Sequence, residues 1–397
     1  MTNLQHLAFV TPRYGMEVIG GAEFGTRMMA ENIAQRLGIK VEILTTTAIN
    51  TDTWDNHYQP GEEHINGVLV RRFPVDRGRD PGFSKLSGRL LKYPLSATME
   101  EAESWIDAQG PISNGLIDAI GSSEADALLF FPYLYHPMVR GIPRVAQKSI
   151  LIPAAHDEAP AYLPIFSKMF QSSRAIIFQT KAEERLVDSI FQTAHKPRLR
   201  LGLGIEEYGA RISPLSEVAP ELEGIPFLLT LGRVDQLKGA TLLSELFAEY
   251  KRRNPSNLKL VFAGPVTTQP IDFPDIVTMG TVSDKIKWTL LSNCTALVNP
   301  SGFESFSLVL FEAWSQKKPV LVNAQCEVTS DHAIDSGGGF AFSDYPSFEA
   351  QLNHLNNNPE LRYQLGENGY AYAHKNYRWD VIVSKLETFL TGLFRAW

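Results

Sequence analysis

The chain is poor in cysteine. Cys294 and Cys326 are the only two in 397 residues, with no C-x-x-C pair and no Cys/His grouping at zinc spacing. That excludes a disulfide framework and a structural zinc site. Both cysteines lie in apolar stretches and are expected as buried free thiols, which suits a reducing compartment. Basic residues are not in excess: 37 Lys and Arg face 44 Asp and Glu, for a net charge of −7. A dedicated nucleic-acid binder would need the opposite balance to displace counterions from phosphates, so no nucleic-acid partner is expected. No run of 18 apolar residues occurs, so no transmembrane helix is expected. The first residues, Met1 to His6, carry neither Lys nor Arg and lead into a strand-like segment. An export signal is therefore not read there, and the expected location is the cytoplasm.

What the chain does have is length and alternation. Its length exceeds one ordinary core and implies two domains. An apolar fraction of 44% with 20% charged residues is enough to fill both, which excludes global disorder. Leu7–Val10, a loop with Gly15, Gly20 and Gly21, a helix from Ala22 to Leu37 and Val41–Leu44 spell a βαβ unit. Buried strands follow at 68–70, 127–131, 149–152 and 175–178, with a helix over 181–191. The second half repeats the scheme. Strands are expected at 227–231, 258–263, 296–298 and 320–322, and helices at 240–250 and 284–292. Gly, Pro, Ser and Glu are dense between Gly202 and Ile225, where the boundary is expected. The expected fold is α/β: two Rossmann-like, doubly wound domains facing a cleft, with ligands at the carboxyl ends of strands. The domains are drawn at 1–205 and 206–375, followed by a helical tail over 376–397. Residues 50–66, polar but for Trp54 and Tyr58, are expected as a long loop.

Four constellations carry chemistry. In Asn299-Pro300-Ser301-Gly302-Phe303-Glu304-Ser305-Phe306-Ser307-Leu308-Val309-Leu310-Phe311-Glu312, Glu304 falls in a loop and Glu312 in a helix starting near Ser307. The backbone N–H groups of Phe306, Ser307 and Leu308 then lack helical acceptors and suit an anion or polar ligand; a plain capping role for the carboxylates competes with that. Leu231-Gly232-Arg233 and Lys238-Gly239 follow a strand, and their two cations can cradle a diphosphate or stand solvated. Gly20-Gly21-Ala22 opens a helix toward a ligand, or is an ordinary turn, and does not fit G-x-G-x-x-G. His156 lies just past a buried strand, where α/β proteins place ligand contacts.

Taken in order, these pieces resemble glycosyltransferase family 4, retaining transferases of the GT-B fold. The resemblance covers nearly the whole chain and is strongest over 227–323; it implies that 1–205 binds the acceptor, that 206–375 binds the nucleotide sugar, and that the helix in 376–397 crosses back to the first domain, a helix capping the second being the competing reading. It is carried by Gly232-Arg233…Lys238-Gly239, Phe262-Ala263-Gly264, Gly280, Pro300-Ser301, the Glu304/Glu312 pair and Lys318-Pro319-Val320. It implies that Arg233 and Lys238 bind the donor diphosphate, with Gly20 and Gly21 facing the phosphate and acceptor. It gives Glu304 the hydroxyls of the transferred sugar and Glu312 the ribose. The amides of Phe306, Ser307 and Leu308 meet sugar and phosphates, Val282 after Gly280 lines the base pocket, and His156 approaches the sugar from the other domain. Two departures stand out. Serine occupies positions 305 and 307, where the family often has glycine, and Leu201 to Ile205 differs from the usual Asn-Gly.

The implied reaction moves a hexose from a nucleotide sugar, UDP-glucose being the type example, to a glycan or lipid-linked acceptor in polysaccharide or glycoconjugate synthesis. Configuration is retained, and no cofactor beyond the donor substrate is required. No two Asp stand two apart, so the D-x-D metal motif is absent. Arg233, Lys238 and helix N-termini are then expected to stabilise the leaving diphosphate without metal. A same-face substitution is preferred over double displacement through Glu304. The segment 71–92 holds Arg71, Arg72, Arg77, Arg79, Lys85, Arg89 and Lys92, with Phe83, Leu86, Leu90 and Tyr93 at helical spacing. It is read as a contact with an anionic acceptor or, peripherally, with the inner face of a membrane, or else as a solvated helix on the core. The competing overall reading is a catalytically degenerate GT-B scaffold that binds sugar nucleotides.

Overall fold

A computed structural model describes residues 4–18, 20–205 and 212–395, so residues 206–211 of the expected linker lie outside it. The chain divides into two compact units, 1–204 with 379–397, and 205–378.

The first unit is built on β1 (His6–Val10), β2 (Lys40–Thr46), β3 (Gly61–Ile65), β4 (Val68–Phe73), β5 (Ala127–Phe130), β6 (Ser149–Leu151), β7 (Ala175–Phe178) and β8 (Arg198–Arg200). Its sheet runs β3-β4-β2-β1-β5-β6-β7-β8. All pairs are parallel except β3 with β4. Strands such as Ala127–Phe130 and Ala175–Phe178 are buried at every residue, which is why they read as unbroken apolar runs. The helices are α1 (Gly21–Leu37), α2 (Phe83–Leu90), α3 (Met99–Gln109), α4 (Asn114–Gly121), α5 (His136–Gly141), α6 (Pro164–Ser172) and α7 (Lys181–Phe191). The chain's last helix, Trp379–Arg395, also belongs to this unit, and Gly204 leaves no room for a side chain against the Trp379 ring.

The second unit contains α8 (Leu215–Val218), β9 (Phe227–Leu231), α9 (Ala240–Arg253), β10 (Lys259–Ala263), β11 (Ile276–Thr278), α10 (Asp284–Asn293), β12 (Ala296–Asn299) and α11 (Leu308–Ser315). These lead on to β13 (Val320–Asn323), α12 (Glu327–Ser336), β14 (Gly339–Phe342), α13 (Tyr345–Asn357) and α14 (Pro359–Tyr377). Its parallel sheet is ordered β11-β10-β9-β12-β13-β14. That is the doubly wound order in which the winding reverses between the first and fourth strands, here β9 and β12. In the first unit the reversal falls between β1 and β5.

Two expectations are corrected. Residues 50–66 are not one long loop, because 61–65 form an edge strand. Four of its five residues are exposed, so it shows no apolar alternation in the sequence. Charge holds it instead: Arg71 Nε lies 3.0 Å from Glu62 and Arg72 Nε 2.6 Å from Glu63. Trp54 is buried, and its indole N–H donates to the Gln109 carbonyl at 2.8 Å. The basic segment 71–92 is likewise not one helix. Arg71 and Arg72 are spent in that strand pair, and the Arg79 guanidinium lies over the Phe83 ring. Only 83–90 is α-helical, with Phe83 and Leu90 buried in the core. Both cysteines are buried and free, and burial pushes the Cys294 thiol up to about 12, which makes it inert. Among the described residues no helix is long and apolar enough to cross a membrane.

Candidate active site

In the second unit the loops that leave β9 and β12 meet where the sheet reverses. Ligands of open α/β sheets settle at such a point. The loop after β9 is shaped by Asp235. Its carboxylate accepts the Lys238 backbone N–H at 2.7 Å and lies 3.3 Å from Arg233 Nε, leaving the Arg233 side chain largely exposed. The chain then turns through Gly239 at φ 77°, and a Cβ there would sit 2.4 Å from the Pro300 carbonyl oxygen. Only glycine lets the two loops pack this closely. Gly264 plays the same part beneath, where a Cβ would lie 1.9 Å from the Gly232 carbonyl oxygen. Gly264 N–H in turn donates to the Gly280 carbonyl at 2.7 Å, tying in the loop that carries half-buried Val282.

These contacts bring Lys238 to Glu304. The ammonium donates to the carboxylate at 2.9 Å, with the Lys238 side chain 35% exposed and Glu304 14%. Glu304 is thus in a loop, as expected, and its charge is already balanced by one of the two proposed phosphate cations.

α11 begins at Leu308. Ser307 caps it at φ 67°, a left-handed conformation that glycine adopts without strain. Here serine adopts it with its hydroxyl held at 2.8 Å by the Asn299 amide, while Asn299 Oδ1 accepts the Ser301 backbone N–H at 3.0 Å. Asn299 therefore locks the Pro300 turn to the helix start. The Phe306 ring is buried, stacked on Phe311 at 4.7 Å with Tyr377 and His332 edge-on. It anchors the loop, and only the Phe306 backbone is left to meet a ligand. One turn into α11, half-buried Glu312 meets Lys287 of α10 at 3.0 Å. Burial raises the Glu312 carboxyl above its ordinary range, and Lys287 opposes that shift.

Gly20, Gly21 and His156 lie in the first unit. Gly21 faces open space. Gly20 is less free, since a Cβ there would fall 2.1 Å from a Glu23 oxygen. Glu23 is buried at the start of α1 and paired with buried Arg13. That helix start thus already holds a carboxylate, which competes with any phosphate there. His156 follows β6 on a half-buried loop, its Nε2 3.5 Å from Glu158. The loop is fastened from below by Glu183, which is fully buried and accepts the backbone N–H groups of Ala155 at 2.8 Å and Gln179 at 2.6 Å. Burial pushes its carboxyl up to about 7 despite these bonds.

Sequence reasoning missed Asn299, Lys287, Asp235 and Glu183. Two left a signal: Asn299 is the polar end of a buried strand, and Glu183 sits in the Thr180-x-x-Glu183 pattern of a capping box. Lys287 and Asp235 left none. Among the described residues no three His, Cys, Asp or Glu side chains converge as metal ligands.

Residues 215–372 match the family model described as glycosyl transferases group 1. Among solved structures, the chain is similar to a sucrose-phosphate synthase from Thermosynechococcus elongatus, with 17% identity, TM-score 0.73, and 99% of this chain and 100% of that one covered. It is also similar to an E. coli trehalose-6-phosphate structure bound with UDP-2-fluoro glucose, with 12% identity, TM-score 0.70, and 98% and 99% covered. A third likeness is to Anabaena HepE in complex with UDP and glucose, with 13% identity, TM-score 0.63, and 98% and 100% covered. At these identities the likeness is one of fold: the chain has the GT-B architecture of two Rossmann-like domains, and its second unit carries the match to glycosyl transferases group 1.

Proposed function

We propose that the protein is a retaining glycosyltransferase of family 4 type. It takes a hexose from a UDP-sugar such as UDP-glucose and passes it to a glycan or lipid-linked acceptor in the cytoplasm. The observation that carries this reading is the Lys238–Glu304 pair beside the α11 N-terminus at the reversal point of the second sheet, with Arg233 on the same loop as Lys238, inside the segment that matches the family model. Two similar structures, one bound with UDP-2-fluoro glucose and one in complex with UDP and glucose, support the choice of donor.

Breaking the anomeric C–O bond leaves positive charge on the sugar and negative charge on the diphosphate. Lys238 and Arg233 stabilise that leaving group, each to the extent of roughly 10²–10³ in rate by comparison with other transition-state donors. The left-handed turn at Ser307 aims backbone N–H groups at the same charge. Glu304 takes the sugar hydroxyls and Glu312 the ribose. A donor phosphate oxygen accepts the acceptor's proton on the same face. No metal is required, because cations and amides carry the charge.

The test is a panel of UDP-glucose, UDP-galactose, UDP-N-acetylglucosamine, GDP-mannose and ADP-glucose, assayed with EDTA for binding and slow nucleotide release. Release from one UDP-sugar, lost in Glu304→Ala, is expected. Folded protein that binds none of them refutes the reading.

A further inference from the structure

Ser307, where the loop after β12 enters α11, is a strained residue without a local task. It holds φ 67° and ψ 68°, a backbone that is strained for any residue with a Cβ and free for glycine. A serine in front of a helix is usually there to accept an N–H of the first turn. Ser307 makes no such bond, so α11 opens without a capping side chain. Its hydroxyl faces Asn299 instead, and the direction of that bond is fixed. Asn299 Oδ1 accepts the Ser301 backbone N–H at 3.0 Å, so the side of the amide lying 2.8 Å from Ser307 Oγ is NH2, which only donates. Turning the amide over would set NH2 against the Ser301 N–H, and Asn299 and Ser301 are both buried. Asn323, at the end of β13, steadies the same turn by donating to the Pro300 carbonyl at 3.0 Å.

Ser307 Oγ is thus an acceptor toward Asn299, and its one proton has to be donated elsewhere. Among the described residues no oxygen accepts it. Yet Ser307 is only 8% exposed, and a hydroxyl so buried seldom goes without a partner. Its surroundings say what the partner is. The first N–H groups of α11 have no helical acceptors and no cap. The same loop carries Glu304, which draws the Lys238 ammonium to 2.9 Å. A hydroxyl proton, uncapped amides and a nearby cation are all donors, and together they fit the oxygens of an anion.

We propose that Ser307 contacts the leaving diphosphate through its side-chain hydroxyl, a donor that glycine could not supply, and that Asn299 is the positioning residue that makes it a donor. The choice of ligand rests on the function proposed above; the coupling of Asn299 to Ser307 does not. The probes are UDP, GDP and ADP, measured by calorimetry on the full chain, with urea unfolding of every variant. Ser307→Gly relieves the turn, so it should unfold no more easily than the parent, yet bind the preferred nucleotide roughly tenfold more weakly or worse. A merely structural serine predicts the opposite. Ser307→Ala keeps the Cβ and should show the same loss in binding. Asn299→Asp keeps the Ser301 bond and reverses the other, because a carboxylate accepts the Ser307 proton and withdraws it from the ligand. Its added charge weakens binding by itself, so the substitution is made both in the parent and in Ser307→Gly. The loss should be about tenfold greater where the serine is present. Equal losses in the two backgrounds overturn the role of Asn299. Parent-like binding by Ser307→Gly or by Ser307→Ala overturns the hydroxyl contact and leaves the transferase reading standing. A folded parent that binds none of the three nucleotides refutes the transferase reading, and this contact with it.

Discussion

Lys238 and Glu304 should respond in opposite directions when tested with UDP alone. At 2.9 Å the pair has a gross attraction of about 1.4 kcal/mol at water-like screening and about 6 kcal/mol at an effective dielectric of about 20. Lys238 is 35% exposed, which favours the lower figure, and desolvation offsets part of it, so the net is about 1 kcal/mol. UDP has no sugar to occupy Glu304, so its phosphates compete with Glu304 for the ammonium. Glu304→Gln removes the competitor and should tighten UDP by roughly fivefold. Lys238→Met removes a charge-assisted contact of about 1.5–3 kcal/mol and should weaken UDP by roughly 10–150-fold. Turnover of a UDP-sugar should fall in both variants, by about 10²-fold or more. Calorimetry with UDP and a nucleotide-release assay read the two effects. Glu304→Gln weakening UDP as much as Lys238→Met does would refute the idea that Lys238 is a phosphate cation held in reserve by Glu304.

Three further outcomes follow from contacts already described. Lys287→Met leaves Glu312 half-buried without its 3.0 Å partner; its carboxyl should rise further and the Kd for UDP increase about tenfold, or about 1.4 kcal/mol, whereas an unchanged Kd would remove Glu312 from the nucleoside site. Gly264→Ala drives a Cβ into the Gly232 carbonyl at φ 153° and should cost about 2–4 kcal/mol in urea unfolding; a variant as stable as the parent would refute the packing of these loops. Glu183 binds its proton more tightly folded, at about 7, than unfolded, at 4.5. Its contribution to stability is therefore fully present below about pH 4.5 and lost as pH rises through about 7, to the extent of about 3 kcal/mol. Unfolding at pH 5 and pH 7.5 should show that fall in the parent and not in Glu183→Gln, and equal slopes would mean that Glu183 is ionised throughout.

The sequence by itself determined the elements and the residue types of the site. Phe227–Leu231 and Lys181–Phe191 are found at the ends read from apolar runs and caps, because burial on both faces of a strand and a Thr-capped start leave local marks. The Ser307 departure is legible in the same way, as a residue other than glycine at a turn that demands a left-handed backbone. Gly61–Ile65 was not legible, because an edge strand held by cross-strand charge carries no apolar period. Only the tertiary structure decided which charges meet. Lys238 and Glu304 are far apart in the chain, as are Lys287 and Glu312, and Glu183 and Ala155. Each pair is set by which strands lie side by side in a parallel sheet. The strand order places the loops after β9 and β12 at one reversal point, and the glycines at 239 and 264 let them close on each other. Local sequence fixes where a strand ends, but the neighbour of that end is chosen by the sheet, through long-range burial that no short window of sequence contains.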